Sequence, residues 1–280
     1  MRWLMVLGLI VTGAVSCRPV EKRASPSISE IQSAVSVSPP LHSIALPSNV
    51  ATISNTKIAS FGKAKKHLWE IHKDHQTTLY CGCAYEGNEL VSPPGACGYV
   101  PITTGIRSRR VEWEHVVPAQ AFGQSFREWR EGHPECVDGR GKPFRGRPCA
   151  RKVAVAFRYM EADMYNLQPA IGDVNDRRGT ATPAMIPGEN RLFGTCDFEV
   201  SAGKFEPRPE VRGDIARTYL YMDMAYPGRG ILSEKNKKLF EAWSDQDPVD
   251  AWECERARRI ARIQGNINQV VERACRQAHR

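Results

Sequence analysis

Arg109-Arg110-Val111-Glu112-Trp113-Glu114-His115-Val116-Val117-Pro118-Ala119 is the stretch on which the reading of this chain turns. It sets a carboxylate beside an imidazole, with two arginines shortly upstream. A carboxylate holds a hard divalent cation. A neutral imidazole takes a proton from water near neutral pH. Arginines grip phosphate oxygens in pairs. The three abilities together suit hydrolysis of a phosphodiester, although a charged strand with a hydrogen-bonded histidine has the same composition. Val111 and Trp113 alternate with Glu112 and Glu114, the period of a β-strand. Pro118 cannot donate to a ladder and ends the element. In a regular strand Glu114 and His115 point to opposite faces, so a bend or twist is expected if both serve one site.

Upstream, Met1-Arg2 and the apolar run from Trp3 to Val15 form a leader too short to span a bilayer, which predicts export. The run ends Ala14-Val15-Ser16-Cys17. A small residue before a cysteine resembles a bacterial lipoprotein cleavage site, with Cys17 as the lipidated residue. An ordinary signal peptidase site after Ser16 is the alternative. Residues 18–56 are rich in Ser, Pro, Ala and Val and read as a flexible tether. The division is therefore a signal peptide at 1–17, a tether at 18–56 and one folded domain at 57–280.

The 280-residue chain is 41% hydrophobic, enough for a real core, and its formal net charge is +8. That tilt is compatible with an anionic partner, either nucleic acid or a membrane surface. Setting Cys17 aside leaves eight of the nine cysteines. In an exported protein an even number predicts disulfides, and eight admit on the order of a hundred pairings. Cys81-Gly82-Cys83 is too tight for the usual zinc knuckle.

Apolar spacing predicts a helix over 61–75, with His72 and His75 as surface or cap residues. A short strand is expected over 77–80, a short helix over 119–131 and a basic loop over 132–148. A longer helix is expected over 151–164. Asn166 then ends a helix, and its side-chain oxygen is a possible cation ligand. Residues 172–179 read as a polar turn. Residues 180–212 read as irregular apart from a possible strand at 196–201. Three helices close the chain.

Residues 57–280 resemble the bacterial endonuclease I family, exported non-specific nucleases. The resemblance rests on Tyr80-Cys81-Gly82-Cys83, Glu112 to Ala119, Asp163-Met164-Tyr165-Asn166-Leu167-Gln168-Pro169 and Ala216 to Met222. It rests also on Trp252-Glu253-Cys254-Glu255 and Ile263-Gln264-Gly265-Asn266. Asn266-Ile267-Asn268-Gln269 departs from the family's usual Asn-His-Asn-Pro.

The resemblance implies a mixed α+β, disulfide-stabilised domain with a ββα-metal, or His-Me finger, active site. His115 would be the general base. Glu114 and Asn166 would hold one magnesium ion, with manganese or calcium as substitutes. An arginine after the histidine would hold the product phosphate: Arg147, with Arg145 and Arg130 as alternatives. Arg109, Arg110, Arg177 and Arg178 would bind backbone phosphates. The implied disulfides are Cys83 with Cys97, Cys136 with Cys149, Cys196 with Cys254, and Cys81 with Cys275. The expected enzyme is a monomeric endonuclease of double- and single-stranded DNA and of RNA, leaving 5′ phosphates. It would be periplasmic or extracellular, with the membrane reached only through a lipid at Cys17. A non-catalytic surface protein that binds DNA is the rival from a different class.

Overall fold

The computed structural model describes residues 53–278 apart from Pro94 and Glu189. The leader, Cys17 and the tether as far as residue 52 lie outside the described residues.

The tether as expected runs four residues too far. Ile53 to Thr56 already belong to the folded part. Asn55 is buried and donates through Nδ2 to Ile58 O at 2.7 Å and Tyr159 O at 2.9 Å. Asn266 Nδ2 donates to Ile53 O at 3.0 Å.

Ser60 accepts from Lys63 N and opens helix α1 (Phe61–Ile71), whose Ala64, Leu68 and Ile71 are buried at helical spacing. His72 caps its C-terminus as expected, yet it is buried and not at the surface. Arg256 Nε donates to its Nε2 at 3.1 Å. Residues 77–80 form no strand and make only an isolated bridge, Thr77 to Ala84. A small hairpin follows, β1 (Tyr85–Glu86) with β2 (Glu89–Leu90).

Strand β3 (Val111–His115) is where the sequence placed it. The expected helix over 119–131 is two short ones, α2 (Ala119–Gly123) and α3 (Arg127–Arg130). The basic loop leads into α4 (Arg147–Val153) and α5 (Val155–Glu161). Strand β4 (Leu167–Ile171) then pairs antiparallel with β3, from Val111 opposite Ile171 to His115 opposite Leu167. Next comes α6 (Gly172–Arg178), where the sequence suggested a turn. All five residues of β4 are buried, so polar and apolar positions do not alternate and the strand period is hidden. Gly172 lets α6 start hard against the sheet. A Cβ there would stand 2.7 Å from Arg107 O and 3.1 Å from Glu112 Oε1.

Strands β5 (Thr182–Pro183), β6 (Phe198–Ser201) and β7 (Lys204–Pro207) make a second sheet in the order β5-β7-β6. Four helices, one more than expected, close the fold: α7 (Arg212–Ala225), α8 (Glu234–Gln246), α9 (Ala251–Gln264) and α10 (Gln269–Ala278). Gly265, at φ 86°, ends α9, and Asn268 Oδ1 accepts from Val270 N and Val271 N to start α10. Ahead of β4, buried Asp163 accepts from Tyr221 Oη and Tyr226 Oη, each at 2.7 Å, and from Gln264 Nε2 at 2.8 Å. That hub ties the β3–β4 sheet to the C-terminal helices. The protein is a mixed α+β fold.

Two disulfides join the expected partners, Cys83–Cys97 and Cys136–Cys149. The other two correct the implied pairing. Cys81 bonds Cys196, with Cα atoms 5.3 Å apart, and Cys254 bonds Cys275, at 5.9 Å. Neither Cys196–Cys254 nor Cys81–Cys275 forms. The turn at Gly265 brings α10 back onto α9, so Cys275 meets Cys254. Cys81 is left to the segment leading into β6.

Candidate active site

β3, β4 and α6 make a strand–strand–helix unit, and a cleft of about 900 Å³ runs along β3. Glu112, Glu114, His115, Arg147, Asn175 and Arg178 all line it. The pairing of β3 with β4 is unbroken over five residues, so no bulge bends the strand. His115 is its last residue, and Glu114 and His115 both line the cleft.

His115 Nε2 lies 2.8 Å from the backbone oxygen of Glu161. A carbonyl can only accept, so Nε2 carries the ring proton and Nδ1 keeps its lone pair. The Phe61 ring covers the imidazole at 4.8 Å. Burial, with Arg147 adding repulsion, lowers the His115 pKa from 6.5 to about 4, so the ring is neutral at pH 7.

Glu161 also organises the arginines. Its side chain accepts from Arg147 Nε at 2.5 Å and from Arg151 Nε at 2.8 Å. Burial pushes its carboxyl up, but the hydrogen bonds from Arg151 and Arg147 outweigh that and its pKa falls. Arg147 spends only Nε on this pair, leaving its Nη groups without a hydrogen-bond partner among the described residues, and its guanidinium lies 5.6 Å from the centre of the Phe61 ring. The two alternatives are elsewhere: Arg145 lines a neighbouring hollow with His133 and Phe144, and Arg130 Nη1 donates to Gln124 O.

Glu114 is buried, and its Oε1 accepts from Arg178 Nη1 at 2.8 Å. Burial raises its pKa to about 7, with Arg178 opposing the shift. Glu112 is committed on both oxygens. Arg107 binds them through Nε at 2.9 Å and Nη2 at 2.8 Å, and Asn175 Nδ2 donates to Oε2 at 2.9 Å.

Asn166 corrects the expected ligand pair. It is fully buried, with Val117 N donating to its Oδ1 at 2.7 Å and its Nδ2 donating to Val117 O at 3.0 Å. Its whole amide is used to lock the chain leaving β3, and it does not line the cleft. Of the carboxamides that do, Asn88, Gln120 and Asn175, the last stands on α6 beside the Glu112 side chain, and its Oδ1 has no hydrogen-bond partner among the described residues. Asn175 stands three residues before Arg178, on the same face of the helix, and Arg178 holds Glu114. An amide oxygen and a carboxylate so placed are hard donors that fit a magnesium-like cation.

Arg178 is the second correction. Expected on a surface that meets DNA, it is buried, and besides Glu114 it donates to the backbone oxygens of His115, at 3.0 Å, and Val116. Of the other three arginines, Arg110 is exposed and lines the cleft, Arg109 is exposed outside it, and Arg177 borders a separate hollow with Gly203. Asn175 and Lys65, both in the cleft, were missed. The signal for Asn175 was its three-residue spacing from Arg178, which means nothing until 172–178 is known to be a helix.

Residues 51–275 match the family model for endonuclease I. An extracellular deoxyribonuclease of Aeromonas hydrophila is 40% identical over 222 residues, 77% of this chain and 90% of the relative. A periplasmic deoxyribonuclease of the same organism is 39% identical, covering 84% of this chain and 95% of its own length. Endonuclease-1 of Buchnera aphidicola is 36% identical, covering 78% and 82%. Relatives named as extracellular or periplasmic agree with an exported protein carrying four disulfides. The chain belongs to the endonuclease I family, and it is an endonuclease.

Proposed function

We propose that this protein hydrolyses DNA phosphodiester bonds with a divalent cation, with little regard to sequence, leaving 5′ phosphates. The observation that carries the reading is the imidazole of His115, neutral, tied at Nε2 and open at Nδ1, in one cleft with Glu114 and Asn175. Both Aeromonas relatives described above are named deoxyribonucleases, which supports DNA as the substrate.

In this proposal Nδ1 of His115 takes a proton from a water in line with the phosphorus, and the Glu161 carbonyl steadies the resulting imidazolium through Nε2. Glu114 and the Oδ1 of Asn175 would hold one magnesium ion, or manganese or calcium in its place. Two protein ligands are ordinary for magnesium, which keeps much of its water. When bound there, the ion would supply Lewis acidity toward the phosphate. Arg147, held by Glu161, turns its free Nη groups to the phosphate. These contacts reach phosphate and not base edges, so single-stranded DNA and RNA are expected substrates too.

Plasmid digestion by the purified, oxidised protein tests this, first with magnesium and then with EDTA. Cleavage that EDTA abolishes is expected, and His115→Ala should lower the rate by ~10²–10⁴-fold with the fold intact. A folded protein that binds DNA but cuts it under neither condition would leave the non-catalytic DNA-binding reading in its place.

A further inference from the structure

Helix α1 carries Phe61, Lys65 and Trp69 four residues apart, so the three form one stripe along it. All three line the catalytic cleft, although the buried core face of the same helix is Ala64, Leu68 and Ile71. The stripe is anchored at both ends. Phe61 packs 4.8 Å from the His115 ring, and Trp69 packs edge-on 4.8 Å from Trp113. The helix therefore runs alongside β3, with Phe61 at the reacting end. Lys65 lies between, its Nζ 4.8 Å above the Phe61 ring. Arg110 lines the same cleft just before the far end of β3. Five residues of strand separate it from His115, about 17 Å at ~3.3 Å per residue. A duplex strand rises ~3.4 Å per phosphate, so roughly five phosphates fit that length.

The cations of the cleft fall into two kinds. Arg178 is buried and committed to Glu114, and Arg147 is fixed beside His115 by its Nε bond to Glu161, with only its Nη groups left for the phosphate at the reacting end. The charged groups of Lys65 and Arg110 have no ion-pair or hydrogen-bond partner among the described residues. Unpaired cations alternating with aromatic faces along a groove are what a nucleic-acid strand meets in proteins that bind it without reading sequence.

We propose that the Phe61–Lys65–Trp69 stripe and Arg110 form a strand-binding track. Lys65 and Arg110 take backbone phosphates on one side of the scissile bond, and the two aromatic rings take sugars or unstacked bases. The track makes the enzyme prefer polynucleotides over very short oligonucleotides. This rests on the nuclease reading above.

The test uses the full oxidised protein and a fluorescein-labelled 20-nucleotide DNA. Binding is measured in EDTA at several salt concentrations. Cleavage of the 20-mer and of a trinucleotide is then measured with magnesium. Lys65→Ala and Arg110→Ala should each weaken 20-mer binding by roughly 3–10-fold and reduce the slope of log K against log salt by about one. Each should lose more kcat/KM on the 20-mer than on the trinucleotide. Lys66→Ala, an exposed neighbour outside the cleft, should keep the parent's values, and melting curves should show all three variants folded. The track is overturned if Lys65→Ala and Arg110→Ala match Lys66→Ala in affinity and slope while the parent binds and cuts. A parent that binds with the expected salt slope but never cuts leaves the track standing and removes the nuclease reading. A parent that neither binds nor cuts removes both.

Discussion

The Glu114 carboxylate and the Arg178 guanidinium face each other inside the protein, Oε1 2.8 Å from Nη1, their side chains 7% and 1% exposed. Removing one partner of such a pair strands the other charge in low dielectric, at a typical cost of about 3–5 kcal/mol. Arg178→Met should lower the unfolding free energy by that order in a urea titration. Glu114→Gln with Arg178→Met should recover part of the loss, since no lone carboxylate remains. If the double variant is no more stable than the single one, the backbone contacts of Arg178 dominate and the ion pair does not.

Asn166 and Asn175 should behave in opposite ways. Asn166→Ala orphans the N–H and C=O of Val117, both buried, and should destabilise by about 2–4 kcal/mol. Asn175→Ala removes a half-buried amide whose one side-chain hydrogen bond among the described residues is to Glu112, so melting should move little. Its activity should fall by more than the ~10–100-fold usual for a group one layer behind a metal. Paired melting and cleavage assays decide it. Equal loss of stability in both variants would remove Asn175 from its assigned place.

Acid should destabilise the fold through its buried histidines. Burial, reinforced by Arg256, lowers the pKa of His72, and His115 falls to about 4. Both folded-state values lie below the ordinary 6.5, so the unfolded chain takes up these protons first. The stability they confer is complete above about pH 6.5 and is lost as pH falls, for His115 down to about 4. At pH 5 the loss from His115 alone is on the order of 2 kcal/mol. His72→Gln can still accept from Arg256 but cannot titrate, so its stability should fall less than the parent's between pH 7.5 and 5.

Non-reducing peptide mapping should recover Cys81 linked to Cys196 and Cys254 linked to Cys275. The first closes a loop of 115 residues and the second one of 21. On chain entropy Cys81→Ser/Cys196→Ser should cost about 4–5 kcal/mol and Cys254→Ser/Cys275→Ser about 3 kcal/mol, read by urea titration. Full reduction should abolish activity, and an unchanged melting curve after reduction would remove the structural role of the bridges.

What the sequence determined on its own is local or compositional. The alternation in Val111–His115 marked β3, and the Glu114-His115 pair named a base and a cation ligand. The helical spacing of α1, α8 and α9 was legible because each buries one stripe, whereas α7 is buried at consecutive positions from Ile215 to Tyr219 and was legible from its apolar content. The motifs were enough to place the chain in its family. Tertiary structure decided everything that depends on which distant groups meet. β4 is buried on every residue and has no period to read, and α6 has only seven residues and follows from docking on β3. Without those two elements Asn166 and Asn175 look alike, and Arg178 looks like a surface cation. Only the fold gives Asn166 to Val117, turns Asn175 to the cleft, and buries Arg178 against Glu114. The disulfides divide on the same line. Cys83–Cys97 and Cys136–Cys149 close short loops, whereas the pairing of Cys81, Cys196, Cys254 and Cys275 depends on how α10 folds back onto α9. Sequence spacing carries no information about that return, because it is set by packing between segments that the chain brings together only when folded.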